Sequence, residues 1–92
     1  MGLPMLTADQ PMFLRQLEHA GRTRRFVIAS RESGGWDVRE EADRHVVRDV
    51  HYDDWHRVER ARTTFARQVL SLQEEGWTEV AEGRRYRTNT VS

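Results

Sequence analysis

The chain has 92 residues, 37% of them apolar and 33% charged, with no cysteine and a formal net charge of zero at pH 7. That length supports one domain with a modest core, and the missing thiols exclude disulfides and thiolate metal sites. The cancelled charge excludes a global field that would draw the protein toward a polyanion.

Residues 1 to 8 read as a loose end, with Gly2 and Pro4, little periodicity and none of the regions of a signal peptide. Thr7 or Asp9 can then cap a short helix over about residues 10 to 20. Phe13, Leu14, Leu17 and Ala20 follow helical spacing, and Gly21 is a natural stop. A strand from Met12 to Glu18 is the alternative. From Arg24 to Ser30 the pattern is a strand, with Phe26 and Ile28 on one side and Val27 and Ala29 on the other. Ser33-Gly34-Gly35 is a turn. A hairpin follows, Trp36 to Glu41 and Arg44 to Val50, joined near Ala42-Asp43. Its expected register sets Val38 opposite Val47, Asp37 opposite Arg48 and Glu41 opposite Arg44.

The clearest signal comes next, an amphipathic helix from about Asp53 to Glu75, closed by Gly76. Trp55, Val58, Ala61, Phe65, Val69 and Leu72 recur at steps of three and four, which stacks them on one face. Trp77 to Val80 reads as a further short strand. Glu82-Gly83 reads as a turn, Arg85 to Thr88 as a weak strand, and residues 89–92 as a loose tail. These elements predict one α+β domain over residues 9–88: a three- to four-stranded antiparallel meander, one long C-terminal helix on one face, and a short N-terminal helix. The leucines, Phe65 and at least two of the three tryptophans are its expected core.

The densest polar cluster is Asp49, His51, Asp53, Asp54 and His56, a set able to ligate a divalent metal. His51 and His56 straddle a helix start, however, so their rings need not converge, and Asp53 and Asp54 are natural caps for the helix. No serine sits in a nucleophile elbow, and no glycine-rich loop is built to cradle phosphates. The chain therefore reads as non-enzymatic, with no cofactor and no small-molecule substrate. No apolar run approaches a membrane span, and the expected location is cytoplasmic.

All fifteen Lys/Arg positions are arginine, a bias that a GC-rich genome produces in proteins of any function. Their placement carries more information. Arg57, Arg60 and Arg67 form a stripe on the outer face of the long helix, and Arg57 and Arg60 lie near the end where the macrodipole disfavours cations. Glu74 and Glu75 lie at the end where it disfavours anions. Pairing of Arg57 with Asp53, and of the two glutamates with Arg84 and Arg85, would account for both. Arg22, Arg24 and Arg25 make a second basic group.

With a helix at residues 10–20, the order helix, three strands, helix over roughly residues 10 to 75 resembles the topology of double-stranded RNA-binding domains. That family carries phosphate-gripping lysines where the second helix begins. Here the stretch reads Asp53-Asp54-Trp55-His56-Arg57.

Two functional expectations follow. The first is a protein-binding or self-associating module, because a sheet with one helix leaves a face and two edges open. Val27 and Ala29, with Val46 and Val50, are the expected apolar patch for a symmetric dimer, and Trp36 or Trp77 the anchors. The second is contact with an RNA or DNA backbone through Arg57, Arg60 and Arg67, helped by Arg22, Arg24 and Arg25.

Overall fold

A computed structural model describes residues 11–80. The expectations for residues 1–8, the Thr7 or Asp9 cap, the Glu82-Gly83 turn, the strand at Arg85 to Thr88 and the 89–92 tail lie outside the described residues. So do the proposed partners Arg84 and Arg85.

Six elements follow one another: β1 (Pro11–His19), β2 (Arg22–Ser30), β3 (Trp36–Ala42), β4 (His45–Tyr52), α1 (Trp55–Glu74) and β5 (Thr78–Val80). The strands form one antiparallel sheet in the order β4-β3-β2-β1-β5. The first four are a meander. The chain then crosses one face as α1 and returns beside β1. The fold is α+β with one long helix on a sheet, as expected, and no helix among the described residues is long and apolar enough to cross a membrane.

The N-terminal helix does not form. Residues 11–19 are β1, paired with β2 along its length and with β5 on its other edge. The residues support the strand physically: Phe13, Arg15 and Leu17 take the helix side, while Leu14, Gln16 and Glu18 take the other. A ten-residue helix with Pro11 in its first turns would be marginal alone, whereas β2 offers β1 a full ladder of backbone partners. With a strand first, the topology is no longer that of double-stranded RNA-binding domains.

Helix α1 begins where Asp54, in extended backbone, accepts the His56 N–H at 3.0 Å. It ends before Gly76, whose φ of +108° suits glycine, and the Trp77 N–H closes the turn on the Leu72 carbonyl at 3.0 Å. Val58, Ala61, Phe65, Val69 and Leu72 are buried against Leu17, Phe26, Ile28 and Val38 of the sheet. Phe65 is the centre of the packing, with its ring centroid 4.9 Å from that of Phe26 and 6.0 Å from that of Phe13. Trp36 and Trp77 pack on the rim of the core, while Trp55 is 37% exposed beside Trp36.

The β3–β4 register also differs from expectation. Val38 lies opposite Val50, Asp37 opposite His51, Glu40 opposite Arg48 and Glu41 opposite Val46, with an irregularity at Glu40/Glu41. The cause is the turn. Asp43 and Arg44 both have positive φ, 52° and 71°, giving a two-residue hairpin one position later than expected. Asp43 anchors it: its N–H donates to the Thr23 carbonyl at 2.8 Å, and its carboxylate accepts the Thr23 N–H at 3.0 Å. That backbone donor, with Arg22 nearby, outweighs slight burial and holds the Asp43 carboxyl below its usual range.

Arginine is a poor occupant of left-handed backbone, and no ion pair holds Arg44 among the described residues. Arg44→Gly should raise stability by about 0.5–1 kcal/mol, since glycine accepts positive φ without steric cost. Thermal melting followed by circular dichroism checks this; a lower melting temperature would contradict it.

Candidate functional site

The sheet face away from α1 is where the apolar patch is expected, and charge fills much of it. Val27 and Ala29 are half-buried there in a depression shared with Arg31, Asp37, Arg39 and Asp49. Those charges pair among themselves: Arg31 with Asp37, and Arg39 with Asp49 at 3.2 Å. Arg25 reaches Glu41 at 3.5 Å on the same face. Of the expected interface residues, Val50 lies opposite Val38 and so faces α1, a correction that follows from the register. Trp36 and Trp77 are partly buried against the core. Val46 alone is exposed, at 51%, on the outer strand β4.

The His/Asp cluster does not converge: His51 bridges two acids, Asp37 and Asp53, in a latch, and the cluster's other acids are engaged elsewhere. His51 Nδ1 lies 2.8 Å from Asp37 Oδ1, and Nε2 lies 3.2 Å from Asp53 Oδ1. Asp49 is engaged by Arg39, and His56 starts the outer face of α1. No group of three or more ligating side chains converges among the described residues. The chain approaches this latch closely at Gly35. A Cβ there would stand 2.5 Å from His51 Nε2 and 2.6 Å from Asp53 Oδ1, and φ is +78°. The latch ties β3 and β4 to the start of α1.

The hydrogen bond to Asp37, against slight desolvation and with help from Asp53, raises the His51 pKa above the ordinary histidine value. For Asp37, partial burial alone would push the carboxyl up. The hydrogen bonds from His51 and Arg31 win and hold it below its usual range. A raised histidine adds stability that is fully present below its unfolded pKa of about 6.5 and is lost as pH rises through the folded value. Asp37 contributes above its unfolded value, near 3.8, and loses that contribution as pH falls through its lowered one. The melting-temperature advantage of the wild type over His51→Gln should therefore be larger at about pH 5.5 than at about pH 8. An advantage independent of pH would show that protonation of His51 does not matter to the latch.

Most described arginines of the sheet and its turns are paired with acids, Arg44 and Arg48 being the exceptions. Arg22, Arg24 and Arg25 do not form one surface. Arg22 reaches Asp43 at 3.5 Å, and Arg24 pairs with Glu40 at 2.7 Å under the helix, its guanidinium 5.4 Å from the centroid of the Phe26 ring. Arg25 points to the opposite face. Arg15 pairs with Glu79. By contrast, Arg57, Arg60, Arg62 and Arg67 are exposed on α1 with no acidic partner among the described residues. The expected Arg57–Asp53 pair does not form, because the Asp53 carboxylate turns to His51. Glu59 is the single acid between Arg57 and Arg67.

Arg62 was not part of the expected stripe, because it sits on the shoulder of the helix toward β1. Only with β1 as a strand does that shoulder border a groove. Phe13, Ala66 and Leu70 line it, with Arg15, Arg62 and Arg67 around them. The signal in the sequence was Leu70, the one large apolar residue on α1 out of step with the buried stripe; it is 61% exposed. No protein-family model, curated protein or solved structure matches this chain.

Proposed function

We propose that this protein is a non-enzymatic protein-interaction module that binds an acidic surface of a partner protein through the outer face of α1. The observation carrying this reading is the contrast between the two arginine populations. Of the eight described arginines of the sheet and its turns, six are paired with acids, Arg48 reaches only the Tyr52 hydroxyl and Arg44 stands at the hairpin turn without an ion pair, whereas none of the four on the helix has an acidic partner among the described residues. The helix also carries no acid in its first turn and no base in its last. Asp54 offsets part of this at the N-terminus, but Arg57 in the first turn and Glu74 in the last each cost about 0.3–1 kcal/mol in an isolated surface helix, and a sequence that breaks a local rule can do so for function.

A protein partner fits better than a nucleic acid for three reasons. The chain has no net charge to draw a polyanion. The second basic group is consumed by internal pairs. Leu70, exposed beside the arginines, has nothing to contact on a phosphate backbone.

Fluorescence anisotropy separates the readings. Labelled acidic peptides should bind the full chain with an affinity that falls as salt rises. Duplex RNA or DNA of equal charge should bind more weakly than the peptides. Tighter duplex binding, lost on alanine substitution of Arg57, Arg60 and Arg67, would transfer the site to nucleic acid. A solution mass of two chains by light scattering, with no peptide binding, would transfer it to self-association.

A further inference from the structure

The groove between β1 and α1 narrows the class of partner, and this step rests on the reading of α1 as a protein-binding face. Its volume is about 510 Å³, and its walls have two distinct chemistries. Phe13, half-buried under the Arg15 guanidinium at 5.7 Å, forms the floor. Ala66 adds a small side chain that leaves the floor reachable, and Leu70 stands at the edge, 61% exposed. A purely electrostatic face has no use for this apolar strip, and water gains nothing by wetting it.

Around the strip the charges are unequal. Arg15 is neutralised by Glu79, but Arg62 and Arg67 have no acidic partner among the described residues. Glu59 lies toward the N-terminal end of the groove. The site is thus apolar in the middle, cationic beside Leu70 and weakly acidic at one end.

We infer that this groove binds a short segment of a partner protein in which one large apolar side chain is flanked by carboxylates. The apolar side chain seats on Phe13, Ala66 and Leu70. The carboxylates meet Arg62 and Arg67, where charge-assisted bonds to guanidinium are strong and directional. Glu59 sets the polarity: the acids of the segment lie toward the Arg67 end.

The test uses the full chain and two labelled peptides of about twelve residues, a length that spans one interface strip. Both carry the same glutamates; one has a central Phe, the other Ser in its place. The Phe peptide should bind at least about tenfold more tightly, the effect expected for burying one aromatic side chain. Leu70→Ser should erase that preference while leaving the weaker acidic binding in place. Because Leu70 is exposed, the variant should melt like the wild type, and circular dichroism verifies that. Equal binding of the two peptides, or a preference untouched by Leu70→Ser, overturns the groove but leaves the acidic-partner reading standing. Failure of both peptides to bind overturns both.

Discussion

Phe65→Ala should lower the melting temperature by at least ~12 °C, a stability effect among the largest of any single truncation in this fold. Phe65 is fully buried at the middle of α1 and packs on Phe13 of β1 and Phe26 of β2. Removing a buried phenyl ring costs about 3–5 kcal/mol, the transfer energy plus the cavity left behind. Neither side can collapse into the gap, since a five-stranded sheet and a 20-residue helix are both stiff. A domain this small holds only about 5–10 kcal/mol in total, so much of the margin disappears. Leu70→Ala on the same helix should move stability by less than about 0.5 kcal/mol, because its side chain is exposed. Equal effects of the two substitutions in a thermal melt would mean that α1 is not seated as described.

The second large effect is on binding. Exchanging Arg60, Arg62 and Arg67 together for glutamate should weaken association with an acidic peptide by about 100-fold or more. Each charge-assisted contact contributes about 1.5–3 kcal/mol, and the reversed charges add repulsion. Stability should barely move, because no described acid loses a partner. Anisotropy titrations at low salt, paired with melts of the same samples, read both quantities. Arg24→Ala behaves differently under the same account. It strands the half-buried Glu40 and uncovers the Phe26 ring, so it should cost stability.

What was legible in the sequence was the part written in one strong period. Val58, Ala61, Phe65, Val69 and Leu72 sit at helical spacing, and all five are buried. Arg24 to Ser30 alternates, and β2 extends it by two residues. Residues 11–19 are ambiguous because Phe13 and Leu17, four apart, share a face in either a helix or a strand, and the arbiter is tertiary: β1 has strand partners on both edges. The hairpin register failed for a local reason. Asp43-Arg44 lacks the glycine that marks a two-residue turn, and its anchor, the Thr23 backbone, is 20 residues away. Of the candidate site, the Arg57, Arg60 and Arg67 stripe could be read from spacing. That these arginines stay unpaired could not, because the sequence offers Asp53 to Arg57 and the structure gives it to His51. The groove is not legible in the sequence at all, since one of its two walls is β1, where the spacing predicts a helix.

The most direct test of α1 as the binding face is an amide chemical-shift map. ¹⁵N-labelled full-length protein would be titrated with the acidic peptide that carries a central Phe. Shifts should cluster on α1 from Arg57 to Leu70 and on β1 around Phe13, with the outer strand β4 and the charged face of the sheet silent. Shifts centred on β4 and Val46, or on the Arg39–Asp49 face, would place the interface elsewhere and contradict the account.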